Sequence, residues 1–109
     1  MYRATTPKHI FYFNVDPDEN FSEILITYAQ NGQIVLEKHK NDLTFENKPG
    51  QYKKYGAWFR LTQEETKLFS DDYTQECQIQ VRVRTNSGEV VAGPIQTVTV
   101  KAVLNDEVL

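Results

Sequence analysis

The chain has 109 residues and a mass of 12.7 kDa, the size of one domain. Leu, Ile, Val and Phe supply 29 of the 109 residues, well above the share of about 20% below which chains stay disordered, so a packed core is expected. The net charge of −3 and pI of 5.3 argue against the basic footprint that a phosphate backbone requires, so no nucleic-acid partner is expected.

In chain order, residues 1–8 are polar and read as a mobile arm. Phe11, Phe13 and Val15 then alternate with Tyr12 and Asn14, the period of a half-buried strand. Asp16-Pro17-Asp18-Glu19-Asn20 breaks it with a proline and turn-forming side chains. Ile24, Ile26 and Tyr28 share one face of the next strand. Asn31-Gly32 is a strong hairpin signal, so residues 22–29 and 33–39 read as a hairpin. Leu43 and Phe45 mark a short segment that Asn47-Lys48-Pro49-Gly50 ends.

Tyr55, Ala57, Phe59 and Leu61 alternate with Lys54, Gly56, Trp58 and Arg60, again a strand. Thr62 and Glu65 have the spacing of a capping box, which predicts a short helical corner over residues 62–69 with Leu68 and Phe69 pinning it to the core. The clearest strand follows. Cys77, Ile79, Val81 and Val83 make a wholly apolar row, and Gln78, Gln80, Arg82 and Arg84 a wholly polar one. Asn86-Ser87-Gly88 turns the chain. Residues 89–92 and 95–101 return, interrupted at Gly93-Pro94 by a bulge or a switch between sheets. The tail, residues 103–109, carries apolar Val103, Leu104, Val108 and Leu109, which a free polar tail would not need.

This order predicts an all-β fold: an Ig-like antiparallel β-sandwich of about seven strands with one helical corner, spanning residues 9–102 between the arm and the tail. Closure into a small barrel is the alternative topology.

Catalytic and metal-binding motifs fail on residue type or spacing. Asp16-x-Asp18-x-Asn20 opens like a calcium loop, but Phe21 stands where glycine is needed and Thr27 where glutamate is needed, so it reads as a solvated turn. His9 and His39 lie far apart, with Cys77 as the single soft ligand. That is not the clustered spacing of a zinc site, and both histidines read as surface or edge residues. Cys77 shares its register with Ile79, Val81 and Val83, which predicts an inert buried thiol rather than a nucleophile. One cysteine also excludes an internal disulfide. No nucleophile elbow or glycine-rich phosphate loop occurs, so neither an enzyme nor a cofactor is expected.

Contact surfaces are better marked. If Phe59 and Leu61 face the core, Trp58 faces outward with Tyr52, Lys54 and Arg60. Such an aromatic pair can stack on a sugar ring or fill a partner's pocket. A bulge at Gly56 would invert the register and put Trp58 in the sandwich centre instead. Arg82 and Arg84 lie on a polar stripe, which reads either as a solvated sheet face or as a subunit contact meeting Asp71 and Asp72 of a neighbour.

The order of Thr5-Thr6-Pro7, Ile26-Thr27-Tyr28-Ala29-Gln30-Asn31-Gly32, Leu61-Thr62-Gln63-Glu64-Glu65-Thr66, Gln78-Ile79-Gln80-Val81-Arg82-Val83 and Val103-Leu104-Asn105-Asp106-Glu107-Val108-Leu109 resembles a family of short proteins encoded in phages and prophages of Gram-positive gut bacteria. The architecture is also loosely similar to Ig-like modules of phage tails and baseplates. The resemblance implies context, not chemistry, and it carries over no site residues. It implies a non-catalytic structural protein of the virion, tail or baseplate whose partners are other phage structural proteins, with homo-oligomers possible. Its place would be the host cytoplasm during assembly and then the virion. The opening MYRATTPKHIFYF lacks a signal-peptide pattern, and no run approaches the ~18 apolar residues of a membrane span. The alternative is a monomeric module that binds bacterial-surface glycan through Tyr52 and Trp58.

Overall fold

The structure, a computed structural model, describes residues 1–46, 54–70 and 74–109. Eight strands lie among the described residues: β1 Lys8–Phe13, β2 Phe21–Gln30, β3 Gln33–His39, β4 Thr44–Phe45, β5 Tyr55–Arg60, β6 Thr74–Thr85, β7 Val90–Ala92 and β8 Gln96–Lys101. Two one-turn α-helices, α1 Pro17–Asn20 and α2 Gln63–Thr66, and a 3-10 turn at Lys40–Asp42 join them. Among the described residues, all strand pairs are antiparallel and form two sheets with no strand in common. One has the order β1-β5-β4. In the other, β3, β2 and β6 lie side by side, and β7 and β8 both pair with the far side of β6. The fold is therefore an all-β sandwich, and because the sheets stay separate it is not a closed barrel.

Local chemistry accounts for the connections. At the β2–β3 turn, Asn31 and Gly32 both take positive φ, 52° and 76°, the backbone that a two-residue hairpin turn requires. Thr62 caps α2: its hydroxyl accepts from the Glu65 N–H at 3.1 Å, and the Glu65 carboxylate accepts from the Thr62 N–H at 2.9 Å. Only Phe69 of the predicted pair pins this corner; Leu68 is exposed. The break after β1 is α1, with Asp16 as its N-cap and Pro17 buried at its first position.

The Gly93-Pro94 interruption is a bulge, not a switch between sheets. Arg82 pairs with Ala92 on one side of it and Ile79 with Gln96 on the other, so residues 93–95 face only residues 80 and 81 of β6. The N–H of Gly93 keeps one bond across it, to the Val81 carbonyl at 2.9 Å. Pro94, which has no N–H to give, is tolerated there.

Between the sheets lie Ile24, Ile26 and Tyr28 of β2, Ala57 and Phe59 of β5, Cys77 and Ile79 of β6, and Val100 of β8, joined by Leu43, Leu61 and Phe69. The Tyr28 ring meets Phe59 and Phe69 edge to face, at 6.3 and 5.9 Å between centroids. Its hydroxyl is 2.5 Å from Nδ1 of His9, so one hydrogen bond links the two sheets. His9, expected at the surface or at a sheet edge, lies on the edge strand β1 and is half-buried. Burial first, and the N-terminal ammonium second, hold its imidazole below the ordinary histidine range. Burial likewise pushes the Tyr28 phenol up, so both partners are neutral at pH 7. His39 is exposed.

Cys77 is completely buried, and its thiol lies against the Gln78 carbonyl at 3.5 Å. Burial pushes the thiol up to about 11, so almost no thiolate is present at neutral pH. We expect Cys77 to resist iodoacetamide in the folded protein and to react promptly in denaturant. Mass-spectrometric labelling at pH 8 checks this, and fast labelling without denaturant would contradict the packing described here.

Residues 1–8 are held down rather than free. The Met1 ammonium donates to the Thr99 carbonyl at 2.8 Å, Lys101 N–H donates to the Met1 carbonyl at 2.7 Å, and Arg3 N–H donates to the Lys101 carbonyl at 2.9 Å. The chain thus begins on the edge of β8, then crosses to enter β1 in the other sheet. Arg3 is the anchor: only 8% exposed, it donates through Nε to the Phe69 carbonyl and through Nη2 to the Lys67 carbonyl, both at 3.0 Å. Polarity alone suggests a mobile arm because these partners lie far away in sequence.

Candidate functional site

The apolar row on β6 looks uniform in sequence but is covered unevenly. Cys77 and Ile79 are 0% and 6% exposed, while Val81 and Val83 are only half-buried. The five-stranded sheet is wider than the sheet that faces it. Beyond β1, no described strand covers the inner face of β6 and β7. The result is a cleft of about 720 Å³. One wall is the edge of β1, with Phe11 and Phe13. The other is Ile79, Val81 and Val83 of β6 with Val91 and the bulge at Gly93-Pro94. Phe21 closes one end, packed edge to face on Phe13 at 5.8 Å, and Lys54 is the charged residue of the lining.

Backbone groups border this cleft as well. Leu61 N–H donates to the Pro7 carbonyl at 3.0 Å, which sets the alternation between β1 and β5. His9, Phe11 and Phe13 therefore turn their N–H and C=O groups toward β5, and Ile10 and Tyr12 turn theirs away from it. No described residue pairs with that edge.

Trp58 faces outward. The β1–β5 register runs unbroken from Lys8↔Arg60 to Phe13↔Tyr55, so Gly56 introduces no bulge and Trp58 stays opposite the inward Ala57 and Phe59. Trp58 lies across from Ile10 and Thr44 on the outer face, and the Lys8 ammonium sits 4.2 Å from its ring centroid. Arg60 is on the same face and donates to the Thr6 carbonyl at 2.8 Å. Tyr12 is exposed on this face too, opposite Gly56. Tyr52, the turn at residues 47–50, and Asp71 and Asp72 lie outside the described residues, so the predicted Trp58–Tyr52 pair and the predicted arginine–aspartate contact have no geometry here.

Arg82 and Arg84 are exposed on the outer face of the larger sheet, beside Glu23, Leu25 and Val90. The guanidinium of Arg84 donates to the Ser22 hydroxyl at 3.1 Å. Backbone hydrogen bonds from Lys40 and Ile24 hold the Glu23 carboxyl below its usual range, with His39 and Arg84 adding to the effect. The C-terminal tail runs back to α2. Leu109 N–H donates to the Gln63 side chain at 2.7 Å, and Asp106 pairs with Arg3 at 3.2 Å. Val103 is half-buried, while Leu104, Val108 and Leu109 are exposed.

Among the described residues, no three His, Cys, Asp or Glu side chains gather as a metal site, and no helix is long and apolar enough to cross a membrane. The hydrogen bond of His9 goes to Tyr28, not to Cys77. Among the described residues, the arrangement offers apolar contact area and a strand edge without a partner. The cleft is hidden in the sequence because both of its walls read as ordinary half-buried strands. A hint lies in the uncharged run Val90-Val91-Ala92, which forms a sheet edge, where natural proteins usually place charge. Compared with family models, with curated proteins and with solved structures, the chain shows no match.

Proposed function

We propose that the chain is a non-catalytic structural component of a phage particle, in the virion, tail or baseplate, that works through protein–protein contacts. One observation carries the contact role: among the described residues, a mostly apolar cleft stays open beside a strand edge that has no partner, with Val91 half exposed at its mouth at 50%. A partner that covers this lining would remove apolar surface from water, which favours association. The phage context rests on the resemblance of five sequence segments. The exposed Leu104 and Leu109 of the tail add a second apolar surface.

The test is mass spectrometry of density-banded particles induced from a prophage that encodes the chain. We expect the protein at a fixed copy number per particle. Deletion of residues 103–109 is expected to lower its incorporation at least tenfold, while its thermal midpoint falls only modestly because the tail adds little to the core. Particles free of the protein would remove this reading.

Glycan binding is the second reading, favoured by the outward Trp58 with Tyr12 on the same face. Lys8 already occupies one side of the Trp58 ring, so a sugar would have to displace it. Saturable binding of cell-wall polysaccharide, lost in Trp58→Ala, would shift the reading to this one.

A further inference from the structure

We infer that the cleft between β1 and β7 accepts an extended strand from another protein, which adds to the free edge of β1 and packs its inward side chains on Val81, Val83 and Val91. The inference rests on the contact role proposed above and names the partner's chemistry.

Three observations carry it. First, the lining is mostly apolar and follows β1 from Ile10 to Phe13, with Phe11 and Phe13 on one sheet and the β6 valines on the other. Side chains at alternate positions of an incoming strand would enter that space. Second, Ile10 and Tyr12 present N–H and C=O groups along the same cleft with no described partner, and an added strand satisfies them by the ladder geometry β1 already uses with β5. Third, the opposite edge is spoiled as a template. The bulge at residues 93–95 and Pro94 interrupt it, and the end of β8 is covered by residues 1–3. The incoming strand therefore belongs to β1.

A small apolar molecule would also suit the volume, since pockets for such ligands span about 300–1,000 Å³. It would leave the edge of Ile10 and Tyr12 unpaired, which is why a polypeptide fits better. A second copy of this chain fits less well. Its alternating apolar segments, β2, β5, β6 and β8, are already paired within its own sheets. Its tail puts acidic Asp106 between Leu104 and Val108 on one strand face, where an apolar residue is needed. The partner strand is thus apolar at alternate positions and uncharged on its inward face, with an acidic residue favoured near Lys54.

The probe is a short peptide of alternating valine and threonine, titrated into the full chain. We expect saturable binding and slowed amide exchange at Ile10 and Tyr12, read by NMR. Ile10→Pro removes one outward N–H without touching the β1–β5 ladder, and Val91→Lys places a charge at the mouth. Each is expected to weaken the peptide about tenfold or more. Both sites are exposed, and an unchanged thermal midpoint shows that each variant is folded.

No binding, or binding that ignores both substitutions, overturns the inference. So does an apolar dye that fills the cleft and is not displaced by peptide, which assigns the site to a small molecule. A concentration-dependent dimer that Ile10→Pro abolishes would assign it to a second copy and also overturn the inference. If the peptide fails while particles still contain the protein, the structural role stands and only the strand site falls. If the peptide binds while particles lack the protein, the reverse holds.

Discussion

Tyr28→Ala is expected to destabilise the protein by about 3–5 kcal/mol, the range for removing a large aromatic ring from a packed interior. Tyr28 is fully buried at the meeting point of the two sheets, with Phe59 and Phe69 edge to face on its ring. The hole left behind is bounded by both sheets, so neither can collapse into it without breaking its own ladder. Domains of this size have about 5–15 kcal/mol in total, so the variant should be partly unfolded at 37 °C. Tyr28→Phe separates the hydroxyl from the ring. It leaves the packing intact and removes only the bond to His9, for an expected cost of about 1 kcal/mol. Urea unfolding of both variants, compared at a constant slope, checks the ratio. Equal costs would mean that the His9–Tyr28 bond, not ring packing, holds the sheets together.

Arg3→Ala should cost about 2–4 kcal/mol, a large effect for a residue so near the chain start. Its guanidinium is the described partner of the Lys67 and Phe69 carbonyls just after α2, and hydrogen bonds from a charged donor contribute about 1.5–3 kcal/mol each. Removing it also frees the β8 edge from residues 1–3. The ion pair with Asp106 matters less. Asp106 is 46% exposed, so Asp106→Asn should change stability by under about 1 kcal/mol. Arg3→Lys should not rescue the loss, because a single ammonium on a flexible stem does not reproduce the forked donors. Hydrogen exchange gives an independent readout: Arg3→Ala should speed exchange of the amides at position 3 and at Lys101, whose hydrogen bonds tie the arm to β8. A cost below about 0.5 kcal/mol would mean that water replaces the guanidinium without loss.

Several features are legible in sequence because their causes lie within a few residues. Asn31-Gly32 forms its hairpin through two positive φ angles that belong to those residues. Thr62 and Glu65 cap α2 by bonds spanning three positions. The alternation from Cys77 to Val83 specifies a strand with one apolar face wherever that strand is placed. Leu68 and Phe69 show the limit of such reasoning. Both are apolar, yet neighbours on the turn after α2 point in different directions, and only Phe69 meets Tyr28.

The arm at residues 1–8 marks the other limit. Its polarity is real, but Arg3 finds partners 64 and 66 residues away. The fate of Trp58 depended on whether Gly56 bulged, a question of pairing between β1 and β5 that alternation within β5 alone leaves open. Gly93-Pro94 likewise announces an interruption, while the side of β6 on which β8 resumes is decided by the pairing of Ile79 with Gln96.

By itself, then, the sequence determined the strand periods, the turn chemistry and the inert place of Cys77, because period and backbone angle are local properties. Tertiary structure alone decided which apolar faces are covered. Val81 and Val83 carry the same pattern as Cys77 and Ile79, and they differ only in what stands opposite them. Two sheets of unequal width leave a strip of the wider one exposed. Coverage is a property of the pair of sheets, set by long-range pairing, and no single strand encodes it.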